Sequence, residues 1–172
     1  MNFPLDRDSG AEHTFASLPC GVITVSDTRT PETDHSGQFI CTALQESGHR
    51  VERYCILRDE PQLIREQVQD WAGSLPVILL NGGTGIAPRD TTYDAIEALL
   101  EKTLPGFGEI FRQLSYDQIG SRAIASRAIA GIHGKCLIFS MPGSTAAVQL
   151  AMRSLILPEL PHLVKQLHQG KH

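Results

Sequence analysis

Three aspartates, Asp27, Asp59 and Asp90, each stand in a short polar segment, and a fourth such segment carries Pro, Gly and Ser. The segments are Ser26-Asp27-Thr28, Arg58-Asp59-Glu60-Pro61, Asn81-Gly82-Gly83-Thr84-Gly85 with Arg89-Asp90-Thr91-Thr92, and Ser140-Met141-Pro142-Gly143-Ser144. Taken singly, each has an ordinary explanation. Gly and Pro punctuate turns, Ser36 and Ser144 suit helix N-caps, and Thr91 with Asp94 makes a capping box. Three glycines within four residues, Gly82, Gly83 and Gly85, ask for more than a turn, because bare backbone lets amide N–H groups approach an anion closely. A helix beginning just beyond adds the positive end of its dipole. The segment is neither a P-loop, since no Gly-Lys-Ser/Thr follows, nor a full dinucleotide fingerprint, since Pro88 takes the place of the last glycine. Carboxylates beside phosphates repel them unless a divalent cation intervenes, and Mg²⁺ favours one or two carboxylates plus phosphate oxygens. The combination points to Mg²⁺-nucleotide chemistry. The competing structural reading is that Asp90 caps a helix and Asp59 closes a turn.

These segments need a frame that brings them together. Apolar, β-branched runs at Gly21 to Val25, His49 to Leu57, Pro76 to Leu80 and Lys135 to Phe139 are each followed by one of the polar segments. Helical patterns then follow over Ser36 to Glu46, Pro61 to Trp71, Thr92 to Lys102 and Ser144 to Ile156. Strand-helix alternation predicts an α/β fold, a mostly parallel sheet covered by helices on both faces. In such a sheet the strand ends, and the loops after them, share one edge where ligands bind. The stretch from Leu104 to Gly134 holds a helical centre (Glu109 to Leu114) and an Ala/Ile/Arg segment (Ala123 to Ala130), fitting either two helices or a helix and a short edge strand. Pro158 and Pro161 interrupt the last pattern, leaving a final helix near His162 to Leu167.

At 172 residues, with 41% hydrophobic and 20% charged side chains, the chain is expected to form about one globular domain with a short tail or appendage. Residues 1–19 read as a flexible N-terminal extension, 20–168 as the domain and 169–172 as a frayed tail. Fifteen Lys and Arg against 19 Asp and Glu, net charge -4, with no basic run, exclude the footprint of a nucleic-acid binder and disfavour an anionic membrane. No apolar run approaches the ~20 residues of a membrane span, and Met1 to Pro19 lacks the character of a signal peptide, so a cytoplasmic location is expected. Cys20, Cys41, Cys55 and Cys136 have neither metal-ligand nor disulfide spacing and read as reduced thiols.

With these residues in view, the sequence resembles the molybdenum cofactor biosynthesis proteins of the MoaB and MogA type, from about Cys20 to Leu157. The resemblance is carried by Gly82-Gly83-Thr84-Gly85 with Arg89-Asp90-x-Thr92 and Ala95, and by Pro105-Gly106-Phe107-Gly108-Glu109. Ser126-Arg127 with Ala130-Gly131, Pro142-Gly143-Ser144, Ser26-Asp27 and Asp34-x-Ser36-Gly37 add to it. The run from Phe111 to Ser144 looks most like the MoaB branch. Asn81 stands where the family usually has Thr or Ser, and Thr92-Tyr93-Asp94 where it usually has Thr-Pro-Glu.

The resemblance implies a three-layer αβα fold with a mixed, mainly parallel sheet, assembled as homotrimers, with hexamers of two trimers in the MoaB branch. It implies a molybdopterin adenylyltransferase that joins AMP from ATP to the terminal phosphate of molybdopterin and releases pyrophosphate, the product passing to a separate molybdenum-insertion protein. Carried onto this chain, Asp59 and Asp90 are the expected catalytic residues, holding Mg²⁺ directly or through water, with Asp90 the more critical. Gly82, Gly83, Thr84 and Gly85 would cradle phosphate. Ser26, Asp27, Pro142, Gly143 and Ser144 would line the same pocket, and Ser126 and Arg127 would contact the pterin, Arg127 offering a forked donor. The alternative for Arg127 is an ion pair on the surface or in a subunit interface. Glu109 fits either an outer metal contact or a helix start. The alternative function is a catalytically silent carrier of molybdopterin, against which the retained acids argue. A dehydrogenase is disfavoured by the incomplete fingerprint.

Overall fold

The structure is a computed structural model that describes residues 17–169. Most of the expected N-terminal extension (1–16) and the end of the expected tail (170–172) lie outside the described residues. In chain order the elements are β1 (Pro19–Val25), α1 (His35–Glu46), β2 (Arg50–Leu57), α2 (Pro61–Ala72), β3 (Val77–Asn81), α3 (Thr92–Leu99), β4 (Lys102–Thr103) and α4 (Pro105–Ile119). A 3₁₀ turn (Gly120–Ala125) leads to β5 (Ile129–His133) and β6 (Cys136–Met141), and α5 (Thr145–Ala151) joins α6 (Leu157–Gln169) through a π turn (Met152–Ile156).

The strands form one six-stranded sheet in the order β2-β1-β3-β6-β5-β4. β2, β1, β3 and β6 are parallel, whereas β5 runs antiparallel to both β6 and β4. Alternate side chains of the central strands enter opposite cores, as the two-residue period of a strand requires. Cys20, Val22, Val77, Leu79, Leu137 and Phe139 face α1, α4, α5 and α6; Ile23, Val25, Ile78, Leu80 and Ile138 face α2 and α3. β3 is buried at all five positions, which explains why Val77-Ile78-Leu79-Leu80 shows no polar alternation. The expected three-layer αβα architecture is therefore present.

Local chemistry starts the helices, with some departures from expectation. The α1 cap is Asp34, not Ser36: its carboxylate accepts the Gly37 N–H at 2.9 Å. Ser144 caps α5 as expected, accepting from Ala147 N–H at 3.2 Å. Pro61 and Pro105 open α2 and α4, where a missing N–H costs nothing. Thr91 precedes α3 without making a side-chain cap. α3 also ends at Leu99, short of the expected Lys102. Leu100 turns extended because Glu101 and Leu104 donate their N–H groups to Ile132 and Ala130 (2.8 and 2.7 Å), so the edge ladder outcompetes another helical turn. The Leu104 to Gly134 stretch resolves into one helix, the 3₁₀ turn and a strand, with β4 rather than β5 at the sheet edge. Finally, Pro158 and Pro161 do not break the C-terminal helix. The Leu157 N–H bonds to Met152 O across the π turn, resetting the register, and Pro158 falls in the first turn of α6.

Candidate functional site

The parallel strands β1, β2, β3 and β6 deliver their following loops to one sheet edge, as the alternation predicts. Because β5 runs the other way, its leading segment, Arg122 to Arg127, arrives at that same edge. Together they enclose a cleft of about 480 Å³ lined by Ser26, Thr28, Arg29, Gly82, Gly83, Thr84, Gly85, Asp90, Arg122, Ser126, Pro142 and Gly143, among others. Of the residues expected to form the site, Ser26, the four glycine-loop residues, Asp90, Ser126, Pro142 and Gly143 meet here. Asp27, Asp59, Arg127 and Ser144 do not line the cleft.

The glycine loop is dictated by space as well as dihedrals. Gly82 (φ 98) and Gly83 (φ 65) adopt left-handed conformations that L side chains resist. A Cβ at Gly82 would collide with the Val25 carbonyl, and one at Gly83 with Thr92 Oγ1 and Asp59 Oδ2. Thr92 N–H donates to Gly83 O at 3.0 Å, hitching the loop to the first turn of α3. Beneath the turn, Asn81 donates from Nδ2 to Thr24 Oγ1 at 2.8 Å, so the Asn at this position ties β3 to β1.

The three aspartates have different surroundings. Asp90 borders the cleft against Gly85, and its Oδ2 accepts the Ala87 N–H at 3.2 Å. Asp59 is buried, only 6% exposed, behind the glycine loop. Its Oδ1 accepts both the N–H (3.1 Å) and the hydroxyl (2.6 Å) of Thr91, which explains why Thr91 makes no cap. Asp27 receives Arg89 bidentately at 2.7 and 2.9 Å and also accepts the Asp59 N–H at 3.2 Å. The Arg89 hydrogen bonds, then the Asp59 N–H, hold its carboxyl below the usual range. Arg89 reaches Glu60 as well, at 3.4 Å.

On the other side of the cleft, Arg29 and Ser36 both donate to the Gly143 carbonyl, at 3.0 and 2.8 Å, locking the β6 loop to the first loop. Arg29 also sits 3.6 Å from Asp34, a fully buried carboxylate that receives the Tyr54 hydroxyl at 2.7 Å. Burial, then Asp34 itself, raises the Tyr54 hydroxyl well above its ordinary pKa. A second cleft, about 450 Å³, lies beside these residues, lined by Tyr54, Ile56, Arg58, Asp27, Ser26 and Arg29 among others. Ser26 and Arg29 border both clefts.

Arg127 bonds the Gly85 carbonyl (3.2 Å) and Asp94 (2.6 Å) and stacks over Tyr93 at 4.4 Å, so it braces the far side of the glycine loop. Glu109 lies in α4 beside a small cavity with Arg112, apart from the cleft. The thiols are free. Burial pushes Cys20 and Cys136 up to about 12 and Cys41 and Cys55 up to about 11, which leaves none of them a ready nucleophile. Sequence reasoning did not single out Arg29 and Arg122, the cleft's cations, as site residues. Arg29 carried a faint signal, two residues past Asp27 in a strand-end loop. Arg122 carried none, because its arrival depends on the direction of β5.

Among the described residues no helix is long and apolar enough to cross a membrane, and no three His, Cys, Asp or Glu side chains cluster as a ready-made metal site. A family profile described as "probable molybdopterin binding domain" matches residues 21–162. Molybdenum cofactor biosynthesis protein B of Staphylococcus carnosus is 50% identical over 171 residues, covering 97% of this chain and 95% of that protein. A crystal structure of a molybdenum cofactor biosynthesis protein B superposes with a TM-score of 0.88 at 48% identity, covering 91% of this chain and 99% of that one. The tungsten cofactor synthesizing protein MoaB from Pyrococcus furiosus superposes with a TM-score of 0.79 at 34% identity, covering 90% and 99%. The left-handed glycine turn, the acids around it and these likenesses lead to one conclusion: the chain belongs to the molybdopterin-binding domain family of molybdenum cofactor biosynthesis proteins, of MoaB and MogA type.

Proposed function

We propose that this protein is a molybdopterin adenylyltransferase acting in the cytoplasm. An oxygen of the molybdopterin phosphate bonds to the α-phosphorus of ATP, the bond from that phosphorus to the bridging oxygen breaks, and pyrophosphate leaves with the electron pair. The nucleophile is already a phosphate oxygen, so the protein has to align two polyanions and offset their charge rather than supply a strong base. The observation that carries this reading is that Asp90, the glycine turn and the cations Arg29 and Arg122 border one cleft, with a second cleft adjoining it across Ser26 and Arg29. One cleft suits the triphosphate and the other a second substrate.

The backbone amides of Gly83 to Gly85 and the Arg29 and Arg122 guanidinium groups bind phosphate oxygens, the Gly82 N–H being held by Met141 O at 3.1 Å. Ser26, at the junction of the clefts, orients the group that passes between them. The residues fit a magnesium ion: Asp90 is a carboxylate at the cleft surface beside the phosphate cradle, and Mg²⁺ asks for only one or two carboxylates, with phosphates and water completing its shell. Asp90 would hold it, and the ion would neutralise phosphate charge. Asp59, its oxygens turned to Thr91 and Gly83, supports Asp90 from behind. The adenylylated product then serves a molybdenum-insertion protein, and the chain assembles as a trimer or as a hexamer of two trimers.

The test is pyrophosphate release from purified protein given molybdopterin, ATP and Mg²⁺. Asp90→Asn keeps the shape and removes the charge, and should lower turnover by at least ~10²–10³-fold, the usual effect of deleting one electrostatic stabiliser, while molybdopterin binding persists. Unchanged turnover in Asp90→Asn removes the metal role. A wild-type chain that binds molybdopterin yet releases no pyrophosphate is a carrier, and the enzymatic reading fails.

A further inference from the structure

Residues 89 and 91, the two neighbours of Asp90, are each tied away from the cleft by contacts with other loops. Arg89 reaches the loop after β1 through its bidentate pair with Asp27 (2.7 and 2.9 Å) and the loop after β2 through Glu60 (3.4 Å). Thr91 is anchored to the loop after β2 by two bonds to the single oxygen Asp59 Oδ1, at 3.1 and 2.6 Å. Asp27 and Asp59 are themselves joined, Asp59 N–H donating to Asp27 Oδ1 at 3.2 Å. The chain is thus held on both sides of Asp90 by one connected network, and the carboxylate between the anchors lies against Gly85 at the cleft wall.

A stabilising role explains the Arg89 half of this network poorly. The Asp27–Arg89 pair is exposed, 36% and 56%, and exposed ion pairs add little to folding. Arg89 is also the cation nearest in sequence to Asp90, yet it is drawn onto two carboxylates outside the cleft instead of neutralising its neighbour. That arrangement keeps the Asp90 charge available and its backbone fixed.

We propose that Arg89 and Thr91 are positioning residues that fix the Asp90 carboxylate for a phosphate-bound divalent cation, with Asp27, Glu60 and Asp59 as their anchors. The inference rests on the adenylyl-transfer reading for its substrate. Misplacing a reacting or stabilising group by about 1 Å costs on the order of 10²-fold in rate, so breaking either anchor weakens cation retention and turnover without unfolding the chain.

The experiment compares the full-length wild type with Arg89→Met, Arg89→Lys, Thr91→Val and Thr91→Ser. Mn²⁺ retention in the presence of ATP is read by electron paramagnetic resonance, alongside pyrophosphate release and melting temperature. Arg89→Met and Thr91→Val should each retain Mn²⁺ at least tenfold more weakly and lose about 10–100-fold in turnover, with a melting temperature close to wild type for Arg89→Met, whose ion pair is exposed, and lowered but still cooperative for Thr91→Val, which takes one of two donors from the buried Asp59 carboxylate. Thr91→Ser, which keeps the hydroxyl, should restore both readouts, and Arg89→Lys, which keeps charge without the fork, should fall between. Wild-type Mn²⁺ affinity in Arg89→Met and Thr91→Val overturns the proposal. So does an equal loss in Thr91→Ser, or a collapse of melting temperature that accounts for the loss. A wild type that retains Mn²⁺ and ATP but releases no pyrophosphate overturns the adenylyl-transfer reading instead, and the Mn²⁺ comparison still decides the positioning role.

Discussion

Replacing Gly83 by Ala tests whether the glycine turn is shaped by its surroundings or merely tolerated by them. At φ 65 an alanine pays the left-handed cost of about 1–2 kcal/mol. Its methyl group also collides with Thr92 Oγ1 and Asp59 Oδ2. Neither oxygen can step aside freely: Thr92 is fully buried in the first turn of α3, and Asp59 is pinned by Thr91. Overpacking of this kind costs about 1–3 kcal/mol. The sum is ~2–5 kcal/mol, which at roughly 2–4 °C per kcal/mol for a domain of this size lowers the melting temperature by about 4–20 °C. Two controls isolate the terms. Gly134 has a similar φ of 59 but nothing within 4 Å of its added Cβ, so Gly134→Ala should cost only the conformational ~1–2 kcal/mol. Gly106, in the first turn of α4 with open space around it and no left-handed φ, should gain up to about 1 kcal/mol as alanine. Thermal and denaturant unfolding of the three variants, with Thr92→Ala added to Gly83→Ala as a relief of the collision, make the comparison. If Gly83→Ala costs no more than Gly134→Ala, the steric argument for the loop is wrong.

Tyr54→Phe removes one of two hydrogen bonds to the fully buried Asp34 carboxylate and should cost about 1–3 kcal/mol in denaturant unfolding; a cost below ~0.5 kcal/mol would mean that Arg29 and Gly37 suffice. Burial lowers the pKa of His49 from its ordinary 6.5, so the folded chain keeps it neutral while the unfolded chain takes up a proton. Stability should therefore fall as pH drops below about 6.5, and His49→Gln should flatten that part of the profile. Asp27, whose carboxyl is held below its ordinary 3.8, adds its own loss only in more acidic solution, as pH falls through and below that value. A His49→Gln profile that parallels wild type between pH 5 and 6.5 would rule the histidine out.

Much of this protein is legible in its sequence because the relevant signals are local. Apolar, β-branched runs, turn residues after each run and helical spacing beyond are enough to predict the layered sheet and the loops after β1, β2, β3 and β6. Three glycines in four residues mark the left-handed turn before any coordinate is known, since L side chains resist the φ values that Gly82 and Gly83 adopt. What needed tertiary structure was direction and partnership. The antiparallel course of β5, turned directly into β6 at Gly134 and Lys135, brings Arg122 and Ser126 to a cleft built otherwise by parallel strands, and only that pairing shows where the segment leading into β5 arrives. Residue type alone also could not distinguish three aspartates that look equivalent in sequence. Long-range contacts across 32 and 62 positions commit Asp59 to Thr91 and Asp27 to Arg89, and place Asp90 at the cleft wall. A carboxylate's role depends on which donors reach it first, and in this chain most of those donors come from other loops.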